Sequence, residues 1–167
     1  MNSVGTAYGN EVTFNNTYYI GANYGGGIIF YIDGTGLHGL ISATIDQVTM
    51  IIWGCFGTLI GSTGTAIGTG QANTTAIVNG CSTADIAARI CDDLVLNGFS
   101  DWFLPSKNEL NQMYLQKNII GGFFNNCMYW SSTEYGDMSA WRQCFTSGSQ
   151  DIEGKNATYI VRAIRAF

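Results

Sequence analysis

The chain has 167 residues, 46% of them apolar and only 11% charged, with a net charge of −5. That length and apolar content can enclose one core without a second unit, so a single domain over residues 1–167 is expected. The acidic balance and the lack of any Lys/Arg cluster exclude the electrostatic footprint of a nucleic-acid binder, and no apolar run reaches the roughly 18 residues that a membrane span needs.

With so few charges, much of the surface must be Asn, Gln, Ser, Thr, Gly and Tyr, the vocabulary of extracellular and paratope surfaces. The 22 glycines and single proline point to strands and turns rather than long helices. The opening MNSVGTAYGNEV lacks the basic end and apolar stretch of a signal peptide. Export is therefore expected either as a part of a longer secreted protein or in a virion released by lysis. Cys55, Cys81, Cys91, Cys127 and Cys144 form no CxxC or Cys/His pairing, and His38 is the sole histidine, so no zinc site is expected. A disulfide among Cys55, Cys81 and Cys91 stands beside the alternative of buried free thiols, and the odd count leaves at least one thiol unpaired.

In chain order, the apolar runs Gly27–Ile32 and Leu37–Ala43 flank Asp33-Gly34-Thr35-Gly36 and read as a β-hairpin, the Asp-Gly pair supplying the residues tolerant of positive φ and His38 falling at a strand start in a structural role. The stretch GTLIGSTGTAIGTG, residues 57–70, has the glycines of a phosphate-cradling loop but no lysine after them and no flanking βαβ pattern, so it reads as a long ordered surface loop. Asn73 is placed to cap a short helix ending at Asn79-Gly80. From Ser82 to Leu96, Ile86, Ile90 and Leu94 recur at helical spacing, which makes this the best helix of the chain, with Asp85, Asp92 and Asp93 on its solvated face and Asn97-Gly98 as its stop.

After the corner Asp101-Trp102, Ser106 and Glu109 form a capping box that opens a helix with Leu110, Met113 and Tyr114 on one face. Everything beyond Met128 (MYWSSTEY, SAWRQCFTSG, TYIVRAIRAF) reads as antiparallel sheet. Trp53, Trp102, Trp130 and Trp141 are expected in the core rather than as sugar-stacking platforms. The sequons at Asn15, Asn73 and Asn156 carry no assignment in so Asn- and Thr-rich a chain. With one histidine and carboxylates scattered mainly on solvated faces, nothing pairs a nucleophile with a base, so no enzyme is expected.

The phrases YGGGIIFYIDGTGLHGLI, TGTAIGTGQANTTAIVNGC, IAARIC, DWFLPSKNEL, YWSSTEY and VRAIRAF, in this order over about residues 18–167, resemble the family of the Legionella collagen-like adhesin C-terminal domain, which includes the variable proteins of diversity-generating retroelements. The resemblance implies an α+β, C-type-lectin-like fold: two helices packed on antiparallel sheets, with the N- and C-terminal strands adjacent. It implies a ligand surface on one face of the C-terminal sheet and its loops, in a phage tail fibre or cell-surface adhesin. The setting would be extracellular, as a virion or cell-surface component, and the assembly a homo-oligomer, a trimer by analogy with related fibres. The partner would be a protein or glycan on another cell. No cofactor is expected, with a structural calcium held by backbone carbonyls left open, since the Glu-Pro-Asn and Trp-Asn-Asp triplets of sugar-binding C-type lectins are absent.

Retroelement mutagenesis of AAC codons could yield Arg142, Cys144, Thr146, Ser147, Ser149, Asp151, Ile152, Gly154, Asn156, Ala157 and Tyr159, but not Met138 or Glu153. Trp141, Gln143, Gln150 and Lys155 are also unreachable and would be fixed scaffold, alongside Phe145 and Gly148. Strand parity then predicts Trp141, Gln143 and Phe145 in the core and Arg142, Cys144 and Thr146 towards the ligand, although period-2 alternation alone predicts the same for any half-buried strand. The expected contact set is Tyr135, Asp137, Arg142, Cys144, Thr146, Ser147, Ser149, Asp151, Ile152, Glu153, Gly154, Asn156, Ala157 and Tyr159. The competing readings are a formylglycine-generating-like oxidase, which shares the broad fold and works through reactive cysteines, and a structural cap of a fibre.

Overall fold

A computed structural model describes residues 18–124 and 127–167. The sequon at Asn15 lies outside them. Strands β1 (Asn23–Tyr24), β2 (Gly27–Ile32) and β3 (Gly39–Ser42) run up and down, and the last strand, β9 (Ile164–Ala166), closes this sheet in the order β1-β2-β3-β9. The C-terminal strand thus joins the sheet of the N-terminal hairpin, antiparallel to β3. The hairpin forms as expected, but its turn works differently. Asp33 acts through its carboxylate, which accepts from the Thr35 and Gly36 backbone N–H groups, and the positive φ falls on Gly36 rather than on the Asp-Gly pair. His38 is exposed, one residue before β3 begins.

The second sheet has the order β4-β8-β5-β6-β7, from β4 (Val48–Ile52), β5 (Met128–Glu134), β6 (Ser139–Cys144), β7 (Gln150–Gly154) and β8 (Thr158–Val161). Its pairings are antiparallel except for β5 with β8, which is parallel at Tyr129 and Ile160, so the all-antiparallel expectation is corrected there. The β6–β7 hairpin fills the far side of β5, so the returning strand β8 enters on the other side, between β5 and β4.

Among the described residues, four helices rather than two pack on these sheets: α1 (Gly70–Gly80), α2 (Ala87–Asp92), α3 (Lys107–Leu115) and α4 (Lys117–Ile120). α3 begins at the capping box that the sequence announces, with both the Ser106 and the Glu109 arms in place. α1 starts three residues before the expected cap. Asn73 sits inside it, buried, and its carboxamide bridges both backbone groups of Gly64 and reaches the Ser132 hydroxyl. The predicted helix over Ser82–Leu96 shrinks to the six residues of α2. Asp85 takes a positive φ of 51° and Ile86 is extended, so helix formation cannot begin until Ala87. Tertiary contacts hold that geometry: Ile86 is fully buried against Gly54, where an added Cβ would lie 2.6 Å from Ile86 Cγ2.

Three of the four tryptophans, Trp53, Trp102 and Trp130, are fully buried. They belong to a core that runs from β2 and β3 through α1 and α2 to β5 and β8, while Phe30, Phe103, Leu110, Met113, Tyr129 and Phe145 form a second core under α3. Truncating any of the three indoles would cost about 3–5 kcal/mol. Cys55 and Cys81 form a disulfide with Cα atoms 5.8 Å apart, and Cys91 is a buried free thiol. Among the described residues no helix is long and apolar enough to cross a membrane.

Candidate ligand-contact surface

The β6–β7 hairpin and the adjoining β8 place most of the expected contact residues along one rim of the five-stranded sheet. Tyr135, Asp137, Thr146, Ser147, Ser149, Asp151, Ile152 and Asn156 are exposed; Arg142, Glu153, Gly154, Ala157 and Tyr159 are half-buried. Cross-strand register puts Trp130, Arg142 and Asp151 side by side, and Ala140 beside Glu153, on one face. Trp141 and Ile152 share the other face.

This geometry corrects three expectations. Trp141 is half-buried rather than a core residue: Tyr135 meets it edge-on and the Lys107 ammonium lies 3.3 Å from its ring centroid. Cys144 is buried at 9% exposure instead of facing outward, because Met128 of the neighbouring strand β5 lies opposite it. Ile152 and Asp151, assigned to one contact surface, lie on opposite faces of β7 because adjacent residues of a strand alternate. Of the expected core residues, Gln143 and Phe145 are buried.

The electrostatics of the rim are loose. Arg142 lies 3.9 Å from Asp151 and 3.5 Å from Glu153, with its guanidinium carbon 5.3 Å from the centre of the Tyr159 ring, and its Nε is buried without a hydrogen-bond partner. The Gly154 backbone N–H, followed by the Tyr159 hydroxyl and the Arg142 charge, holds the Glu153 carboxyl below the usual range. Burial raises Tyr159. Hydrogen bonds from the Ser147 hydroxyl and the Ser147 backbone N–H lower the Cys144 thiol to about 7. Beside the rim, Thr49, Met50, Phe124, Met128, Thr158 and Tyr159 line an open groove of 450 Å³. Met50 is 72% exposed there; as an isolated methionine within a short β-run, it carries no sequence signal that would have placed it at the site.

Under the rim lies a buried polar scaffold that the sequence reading missed, having put the carboxylates mainly on solvated faces. The Lys155 ammonium, fully buried, donates to Glu134 at 2.5 Å and to the Thr58 carbonyl at 2.8 Å. The two Glu134 oxygens also accept from the N–H groups of Ile60 and Gly61. Glu109, raised by burial, accepts from Gly68 and Ser106. The glycine-rich loop of residues 57–69 is ordered, as expected, and the N–H groups of Ile60, Gly61 and Gly68 are taken by the Glu134 and Glu109 carboxylates and that of Gly64 by the Asn73 carboxamide, so these groups form no anion cradle. Gln143 donates to Asn111, and Gln150 donates to the Lys107 carbonyl and to Gln143. Lys155, Gln143 and Gln150 are three of the residues expected as fixed scaffold on codon grounds.

Among the described residues, no group of three His, Cys, Asp or Glu side chains is placed to hold a metal ion. Cys55 and Cys81 are joined to each other, and burial raises the Cys91 thiol far above its ordinary value, so neither the bridge nor Cys91 presents a thiolate to solvent.

The family described as the Lcl C-terminal domain matches residues 42–165. Among solved structures, a fimbrial protein from Bacteroides ovatus is similar over 83% of this chain with a TM-score of 0.61 at 15% sequence identity. The aligned part is 43% of that protein, so the chain spans less than half of its length. No curated protein matches the chain significantly.

Proposed function

The chain belongs to the Lcl C-terminal domain family, and from that premise we propose that it is the ligand-contacting domain of a surface adhesin, with its contact surface on the rim formed by β6, β7 and β8. The reading is of an extracellular, non-enzymatic, C-type-lectin-like module that binds a molecule on another cell without a cofactor. It includes diversification of the rim positions, a trimeric assembly that turns weak single contacts into avidity, and a phage fibre as the alternative carrier.

One observation carries it. Polar side chains at the rim are exposed or half-buried and loosely paired, while those beneath are buried and closely bonded. A surface of this kind can change its residues without disturbing the fold, which is what a display site on a rigid scaffold requires. Its Tyr, Ser, Asn and Arg content is that of a paratope.

The test is a variant carrying Tyr135→Ala, Arg142→Ala, Asp151→Ala and Tyr159→Ala. Adhesion to target cells should be lost while the variant still unfolds in one cooperative transition, with a melting temperature lowered by the loss of the Tyr159 contact with Trp130. Unchanged adhesion would favour a structural cap instead. Sequencing the locus in many isolates tests diversification separately: variation should concentrate between Arg142 and Tyr159. A monomeric mass in solution would count against the trimer.

A further inference from the structure

β7 is an edge strand, bonded to β6 alone in the sheet order. Its register is regular over five consecutive pairs, Ser139 with Gly154 through Gln143 with Gln150. Other edges carry the usual protections against strand addition: β4 has a register irregularity between Val48 and Ile51, β1 is two residues long, and β9 is bridged to Phe103 at Ile164. β7 has none of these.

Pairing parity shows which backbone groups of β7 are open. Cys144 N–H donates to the Ser149 carbonyl and Lys155 N–H to the Met138 carbonyl, so the odd-numbered residues of the strand bond inward to β6. The N–H and C=O groups of Gln150 and Ile152 therefore point out of the sheet. Gly154 closes the row, its N–H taken by the Glu153 carboxylate and its carbonyl by Ala157.

We propose that this edge takes up an extended segment of a partner protein as an added strand, with Lys or Arg opposite Asp151 and Glu153 and an apolar residue opposite Ile152. The side chains define that pattern. Asp151 and Glu153 lie on one face with 55% and 40% of their surfaces exposed, and Arg142 approaches them no closer than 3.5 Å. Between them Ile152, 42% exposed, stands on the other face beside Trp141. An incoming strand that alternates basic and apolar residues matches both faces at once.

A second copy of this chain does not fit. Antiparallel pairing of two β7 strands about Ile152 would set Asp151 of each copy opposite Glu153 of the other, and like charges directly opposite are destabilising. The edge rejects itself and favours a basic partner. This proposal deepens the adhesin reading and rests on it: it makes the ligand a polypeptide rather than a glycan.

The probe is a synthetic peptide of alternating Lys and Val, with its Glu/Val counterpart as control, added to isotope-labelled protein. Binding should slow amide exchange at Gln150 and Ile152 while leaving the odd-numbered positions unchanged, and the Glu/Val peptide should not bind. Ile152→Pro removes an outward N–H without touching the β6 bonds and should weaken binding about tenfold, the equivalent of roughly one hydrogen bond with its neighbours' ordering. Asp151→Asn with Glu153→Gln, which keeps the backbone intact, should weaken it at least as much. No binding of the Lys/Val peptide, binding without protection at Gln150 and Ile152, or equal binding of both peptides would overturn the proposal. The outcomes separate the two readings. If the four-alanine variant loses cell adhesion while Ile152→Pro retains it, the rim binds through side chains and strand addition is wrong. If both retain it, the rim is not the contact surface at all.

Discussion

The glycine-rich loop of residues 57–69 and the β6–β7 rim are both polar, turn-rich and poor in charge, yet they hold their polar groups in opposite ways. In the loop, backbone N–H groups at Ile60, Gly61 and Gly68 end on buried carboxylates at 2.6–2.8 Å, and the balancing cation, Lys155, is buried with them. On the rim, Arg142 has two carboxylates at 3.5 and 3.9 Å and an Nε with no partner. A closely bonded buried charge is costly to disturb because water cannot replace a lost partner, whereas the rim carboxylates, 55% and 40% exposed, can be solvated if their distant cation is lost. A substitution in the loop breaks several close bonds, whereas one on the rim breaks few.

The largest expected effect is at Lys155. Lys155→Met leaves the Glu134 carboxylate buried without its cation, and urea unfolding should show a loss of about 3–5 kcal/mol. Adding Glu134→Gln should recover part of it, and a loss below about 1 kcal/mol would mean that the buried pair does not set the rigidity of the loop. Next comes the disulfide that anchors the loop's start: Cys55→Ala with Cys81→Ala opens a link spanning 26 residues and should cost about 3 kcal/mol. Arg142→Ala should move stability by less than about 1 kcal/mol. A loss there as large as that at Lys155 would erase the distinction between the two regions.

The smallest effect is a reactivity difference. The Cys144 thiol ionises near pH 7 rather than at its ordinary value of 9, so its alkylation, followed by mass spectrometry, should rise to half-maximum near pH 7 while Cys91 stays inert. Because the shift is downward, its contribution to stability is fully present above pH 9 and disappears as pH falls through 7. A half-maximum near 9 would show that the Ser147 turn does not hold the thiolate.

How much was legible follows the range of each signal. The β2–β3 hairpin and the Ser106–Glu109 box were readable because their determinants lie within a few residues of each other. The Ser82–Leu96 helix was overcalled because periodic apolar spacing says nothing of the positive φ at Asp85. Family resemblance and codon logic nominated the rim residues, but which of them face the same way depended on register. Cys144, placed outward by parity, is buried because Met128 lies opposite it on the neighbouring strand.

By itself the sequence determined the α+β character, the family, the burial of three tryptophans, the position of the β2–β3 turn and the Ser106–Glu109 cap, signals that lie in composition, in motifs or in spacings within one element. Only the tertiary structure decided the partners of the buried charges and the pairing of the cysteines. Glu134 meets Lys155 across 21 residues, Cys55 meets Cys81 across 26, and Arg162 meets Asp46 across 116. Such pairs follow from how the sheets close on each other. A carboxylate's immediate neighbours in the chain do not indicate whether it will end in water or against a buried lysine.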